Sequence, residues 1–172
     1  MKPLIFFIGL LAVATCQMPL QDSVSDFDVN KFLGHWYGIA TIPYLGLEIG
    51  CNQANFTLKE DGSIGFVFTY KTKLDASFKT TKGVLIADTK NSSKFKMKYD
   101  SMYQVFDFWV LKIDDNYTYG AFGDRWRSYL WFISRSSTLD KEHYQDLLDY
   151  ATKAKFAVES LVKVDQNCGS FE

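Results

Sequence analysis

The sequence predicts an all-β protein: an eight-stranded antiparallel up-and-down barrel with one C-terminal α-helix packed outside. Three observations carry that prediction. From Trp36 to Arg135 the chain runs as short alternating segments split by turn residues, at the roughly 8–14-residue spacing of a meander. After Arg135 a single segment switches to helical period. Aromatic residues make up 17% of the chain, with 15 Phe, 10 Tyr and 4 Trp, more than a core of this size needs. That excess suits strands around an aromatic-lined cavity. With 172 residues the chain is long enough for one domain and too short for two catalytic ones.

The first segment reads as an export signal. Met1-Lys2-Pro3 precedes an apolar run from Leu4 to Val13. Spanning a bilayer takes about 20 residues, so the run is too short for that and fits a secretory signal peptide. Cleavage after Cys16, with Ala14 three residues before the cut, gives a signal of residues 1–16 and a single domain of residues 17–172. Cleavage after Ala14 competes. A lipid anchor on Cys16 needs a small residue before it, and Thr15 is a poor one. The expected location is secreted and extracellular.

The strands follow in order. Trp36 opens the first, which Pro43 ends. Cys51–Leu58 alternates, with Ala54, Phe56 and Leu58 on one face. Glu60-Asp61-Gly62-Ser63 is a hairpin turn with Asp-Gly at its centre. Ile64, Phe66, Phe68 and Tyr70 alternate next. Ser77–Ala87 follows, then Lys94–Tyr99, where lysines alternate with Phe95, Met97 and Tyr99. Tyr103–Ile113, Tyr117–Phe122 and Tyr129–Arg135 complete eight strands. Ser137–Lys153 carries Tyr144, Leu147, Leu148 and Ala151 at helical spacing, a stripe that must pack on the barrel wall. Phe156–Val164 reads as a further strand.

Cysteines and sequons agree with export. Once Cys16 leaves, Cys51 and Cys168 remain, an even pair for an oxidising compartment, and a disulfide between them is expected. Asn55, Asn91 and Asn116 each begin an Asn-x-Ser/Thr sequon, so each is a candidate N-glycosylation site facing outward.

Charge and motifs exclude other classes. A net charge of -1 gives no electrostatic footprint for nucleic acid. The only histidines are His35, next to Trp36 and so facing outward, and His143 on the helix. Neither has a partner at ligand spacing, so no metal site is expected. No Gly-x-Ser-x-Gly motif exists. Asp114-Asp115-Asn116 lacks the EF-hand pattern and reads as turn chemistry. The chain is expected to have no catalytic residues and no cofactor, and not to be an enzyme.

Three segments are more specific together than apart: Gly34-His35-Trp36, Ile113-Asp114-Asp115-Asn116-Tyr117 and Tyr129-Leu130-Trp131-Phe132-Ile133-Ser134-Arg135. In this order, before one helix, they resemble the lipocalin family, in particular its apolipoprotein D and bacterial outer-membrane branches. The likeness covers residues 26 to 168. Cys51–Leu58 looks like the second strand of the former branch, and Asp114–Arg135 more like the latter. The resemblance implies a ligand cup whose floor is closed by Trp36 with Arg135 laid across it, both structural. It also implies pocket roles for Phe56, Phe108 and Trp131. The chain departs in lacking the cysteines for a second disulfide of the apolipoprotein D branch.

Alternation adds Ala54, Phe68, Phe95, Met97, Tyr99 and Ile133 to the candidate cup lining. Asp107 on the same strand as Phe108 favours Phe108 inward, and Leu130 and Phe132 should face out under the helix. Such a cup suits a small hydrophobic ligand: a fatty acid, retinoid, sterol or tetrapyrrole. The expected function is therefore a secreted carrier. The alternative is an extracellular interaction or inhibitor protein that binds a macromolecule through its mouth loops. The apolar segment from Tyr44 to Gly50 is such a loop, or a flap over the mouth, and would suit a transient membrane or receptor contact.

Overall fold

The structure, a computed structural model, describes residues 22–43, 49–72 and 75–168, without the side chains of residues 75 and 76. The expected signal segment 1–16 and residues 44–48 of the entrance loop lie outside the described residues. A short helix, α1 (Val29–Phe32), leads into eight strands: β1 (Gly34–Ile42), β2 (Ile49–Leu58), β3 (Ile64–Thr72), β4 (Asp75–Ala87), β5 (Lys94–Tyr99), β6 (Val105–Ile113), β7 (Tyr119–Gly123) and β8 (Leu130–Ser134). Each strand pairs with the next in antiparallel register, and β1 pairs with both β8 and β2, which closes the barrel. The outer helix α2 (Lys141–Lys153) follows, and β9 (Val162–Lys163) ends the paired structure.

Local chemistry sets the ends of these elements. Asp61 accepts hydrogen bonds from the backbone N–H and hydroxyl of Ser63, and Gly62 supplies φ +80° for the β2–β3 turn. Asp114 takes the backbone N–H groups of Asn116, Thr118 and Tyr119, which fixes the β6–β7 turn. Asp140 caps α2 by accepting from the His143 N–H.

The barrel seals a seam between β1 and β2. Gly34–Tyr37 pair with β2, while Ala40 and Thr41 on the same edge pair instead with β9. The C-terminal segment fills the gap. Gln166 Nε2 donates to the carbonyls of Gly38 (2.7 Å) and Asn52 (2.9 Å), one from each side. Val164 N–H bonds Ile39 O and Cys51 N–H bonds Asp165 O. The Cys51–Cys168 disulfide locks the segment there. Cys51 itself has φ +53°, rare for a residue with a side chain, within a β2 irregularity between Gly50 and Gln53.

Two apolar clusters flank the wall. One fills the barrel's lower interior, including Phe27, Phe32, Phe56, Phe66, Phe95 and Phe108. The other packs Leu147 and Ala151 of α2 onto Leu130, Phe132, Leu111 and Ala40, so Leu130 and Phe132 do lie under the helix.

The structure corrects several expectations. Phe156–Val164 is not one strand: only Val162 and Lys163 pair, and Val158–Ser160 form a 3-10 turn. Phe156 is apolar because it is buried with the α2 cluster, not because it belongs to a sheet. The helix starts at Lys141, not Ser137, since Asp140 is the residue that caps it. β1 starts at Gly34, β4 at Asp75, β6 at Val105 and β7 at Tyr119. Tyr117 has φ +58° within the Asp114 turn, which is why β7 begins later than its aromatic pattern suggests. Leu58 shares the Phe56 face but ends 52% exposed, beyond the packed floor.

Candidate ligand-binding site

The floor is built first. α1 brings Phe32 under the barrel, where its ring stacks on Trp36 at 5.3 Å and meets Phe56 at 5.0 Å. Trp36 Nε1 donates to Phe32 O at 2.7 Å. Arg135 covers the indole, its guanidinium 3.9 Å from the ring centroid. Its guanidinium donates to the carbonyls of His35 and Lys31 at 2.7 Å, Tyr117 at 3.2 Å and Phe32 at 3.3 Å. One side chain thereby ties α1, β1 and the β6–β7 turn together.

Above the floor a cavity of about 380 Å³ opens at the end away from α1. That volume lies within the range of small-molecule pockets, roughly 300–1,000 Å³. Its wall is mainly aromatic and aliphatic: Ala54, Phe56, Phe68, Met97, Phe106, Phe122, Trp131 and Ile133. Asn52, Tyr70, Thr81, Tyr99, Ser101 and Tyr129 supply polar groups, and no described lining residue carries a charge.

Local packing fixes these side chains. Gly83 faces inward where a Cβ would lie 2.5 Å from the Phe66 ring and 2.1 Å from Lys98 O. The space lets Phe66 reach Tyr99, whose ring it meets at 5.3 Å and 84°. Phe68 and Phe106 also border the Tyr99 ring. Burial, with a smaller push from Tyr70, raises the Tyr99 phenol to about 12. Tyr129 donates its hydroxyl to Asp107 O, and burial holds its phenol well above the ordinary value. A Cβ on Gly38 would lie 2.7 Å from Asn52 Oδ1 and 2.9 Å from the Trp131 ring, so this glycine makes room for both.

Of the residues expected from sequence, Ala54, Phe56, Phe68, Met97, Tyr99, Trp131 and Ile133 line the cavity. Phe95 and Phe108 do not border it. They lie below, 6.2 Å apart, with Phe108 fully buried and stacked on Phe122 at 4.3 Å. Trp36 borders the cavity as well as closing the floor. Sequence reasoning missed Asn52 and Thr81. Their signal was available: Asn52 shares strand parity with Ala54 and Phe56, and Thr81 sits opposite Phe68. Among the sequons, Asn55 and Asn116 are exposed, while Asn91 is half-buried and accepts from Ser93 through Oδ1.

The Lipocalin-like domain family model matches residues 27–166. The chain is a lipocalin. Apolipoprotein D of Cavia porcellus is 30% identical over 161 residues, covering 89% of this chain and 83% of that protein. Outer membrane lipoprotein Blc of Citrobacter freundii is 27% identical, covering 90% of each. Among solved structures, insecticyanin from the tobacco hornworm Manduca sexta superposes with a TM-score of 0.68 at 20% identity, over 87% of this lipocalin and 86% of that chain. Apocrustacyanin C1 gives a TM-score of 0.68 at 16% identity over 89% and 91%. These two likenesses speak for the fold. Lipocalins are known for binding small hydrophobic ligands and are generally carriers rather than enzymes.

Proposed function

We propose that this lipocalin is a secreted carrier that holds one small hydrophobic ligand in its barrel. The observation that carries the reading is the cavity itself: about 380 Å³, open at one end, aromatic in its walls and without charge in its described lining. Such a site captures a ligand by desolvation, at roughly 25 cal/mol per Å² of apolar surface removed from water. Part of that gain offsets the loss of ligand freedom. Phe56, Phe68, Met97, Trp131 and Ile133 supply the apolar contacts. Trp36 and Arg135 hold the floor and take no part in catalysis.

Export through a signal of residues 1–16, with glycans on Asn55 and Asn116, belongs to the same reading. The disulfide supports it, because such bonds persist in oxidising compartments. Asn91, engaged by Ser93, is the poorest acceptor of the three. The exposed Met102, Tyr103 and Trp126, on the β5–β6 and β7–β8 loops at the open end, support a transient contact with a membrane or receptor during loading. An interaction protein with an incidental cup would have no need of this cavity.

Native mass spectrometry of the protein secreted by its own cells, followed by denaturing extraction, tests the reading. A defined lipid or pigment mass released on unfolding is expected. An empty protein that also fails to quench its tryptophans with apolar probes overturns it.

A further inference from the structure

The cavity's polar groups narrow the class of ligand, an inference that rests on the carrier reading. Tyr99 is the pivotal group. Its ring is boxed by Phe66 at 5.3 Å, Phe106 at 6.0 Å and Phe68 at 6.2 Å. Tyr99 lines the cavity, and its hydroxyl has no hydrogen-bond partner among the described residues. Asn52 repeats the pattern on the seam side. Its backbone carbonyl is held by Gln166, the residue lines the cavity with its Oδ1 beside Gly38, and its side-chain amide has no partner among the described residues. Polar groups half-sunk in an apolar wall are costly unless something bonds them. Here each is held in place by its surroundings: an aromatic box around one, a glycine cleared for the other.

Charge points the same way. Lys71 follows the lining residue Tyr70 but turns outward, donating to Cys168 O and lying over the Phe78 ring. Lys96 and Lys98 flank Met97 on the exposed face of β5. Arg125, on the β7–β8 turn, faces Asp107 at 3.7 Å and does not border the cavity. Lys79, opposite Tyr70 in the β3–β4 register, is exposed at the mouth and does not border the cavity. A carboxylate drawn into the depth of this cup would lose its hydration and meet no cation in the described lining, a penalty a neutral oxygen escapes.

We propose that the cavity selects neutral lipids bearing a hydrogen-bonding oxygen, such as long-chain alcohols, ketones or esters, over ionised fatty acids. Tyr99 donates its O–H to the ligand oxygen, and the Asn52 amide supplies a second, donor-or-acceptor contact.

The test uses the full secreted chain at neutral pH and three probes read by fluorescence: retinol, retinoic acid, and the uncharged hydrocarbon diphenylhexatriene. Retinol and retinoate share a polyene and differ in the head group. Retinol is expected to bind about tenfold more tightly than retinoate. In Tyr99→Phe, which keeps the ring in its box, retinol should weaken by about five- to tenfold, the scale of one lost hydrogen bond, while diphenylhexatriene is unchanged. Equal binding of retinol and retinoate by the unmodified protein, or tighter retinoate, overturns the proposal while bound diphenylhexatriene leaves the carrier reading standing. Unchanged retinol affinity in Tyr99→Phe overturns the assignment of Tyr99. If that variant loses diphenylhexatriene as well, Asn52→Leu and the unmodified pair decide. Failure of all three probes on the unmodified protein sinks the carrier reading itself.

Discussion

Replacing Arg135 tests whether the barrel floor is held as its geometry implies. The guanidinium makes two 2.7 Å hydrogen bonds, to His35 O and Lys31 O, and two longer ones to Tyr117 O and Phe32 O. It also covers the Trp36 ring at 3.9 Å. A hydrogen bond to a charged group contributes about 1.5–3 kcal/mol, so the two short ones alone give ~3–6 kcal/mol. The cation–π contact adds ~0.5–2 kcal/mol. Lys31 and His35 are exposed, so water can take over their carbonyls, and we count about half of the total, ~2–4 kcal/mol, for Arg135→Ala. At about 2–4 °C per kcal/mol for a domain this size, Tm should fall by ~4–16 °C. Arg135→Lys keeps the charge but not the planar fork that reaches several carbonyls at once, so it should recover less than half the loss. Urea and thermal unfolding followed by circular dichroism read both variants. An Ala variant within about 0.5 kcal/mol of the parent, the range of ordinary surface changes, would refute the reasoning. So would a Lys variant with full stability.

Serine at both Cys51 and Cys168 removes a link spanning 117 residues and should cost about 2–5 kcal/mol. Hydrogen exchange at the Cys51 and Val164 N–H groups should rise with it, because both bonds cross the seam; unchanged protection would show that the seam holds without the disulfide. Gly83→Ala should destabilise by about 1–3 kcal/mol or more, since its Cβ would meet Lys98 O at 2.1 Å and Phe66 at 2.5 Å. A neutral urea midpoint would mean that β4 and β5 can part more freely than their pairing implies. At high pH, Tyr99 and Tyr119 titrate near 12 rather than 10.0, Tyr99 through burial and Tyr119 through burial and then its bond to Asp146. Folding therefore favours their protonated forms. Stability should hold below pH 10.0 and fall as pH rises through about 12, tracked by phenolate absorbance beside circular dichroism. Phenols that all ionise near 10.0 in the folded protein would contradict this.

Strand faces were legible because alternation is local. Lys94–Tyr99 needs only its own six residues to show which side is wet, and Phe95 and Met97 are indeed buried while the facing lysines are not. Depth along the barrel axis was not legible. Phe95 and Phe108 point inward as expected, yet they sit under the cavity because α1 and Phe27 plug that end. A four-residue helix has too few turns to show a period, and its partners lie far away in sequence: Tyr117 Oη accepts from Asp28 N–H across 89 positions. The cysteine count implied a disulfide, but its role as a clasp depends on where β2 leaves β1, which no local pattern reveals.

The cup stays open because large inward residues face small ones across the β1–β2 seam. Gly34 pairs with Phe56 and Trp36 with Ala54, so each bulky ring spreads over a neighbour that yields space. Lower down, that space is taken by Phe32, which meets both rings from below. Higher up, the room over Gly38 is taken by the Asn52 side chain and the edge of the Trp131 ring, and beyond them Gly38, Ala54 and Trp131 all border the cavity. The same step continues around the wall: Phe66 uses the room over Gly83, whereas Phe68, one level nearer the mouth, faces Thr81. Interior packing near crystal density makes such a void a deliberate omission of side-chain volume rather than loose folding. The polar groups on its surface without a partner among the described residues, the Tyr99 hydroxyl and the Asn52 amide among them, are then ones a ligand can satisfy.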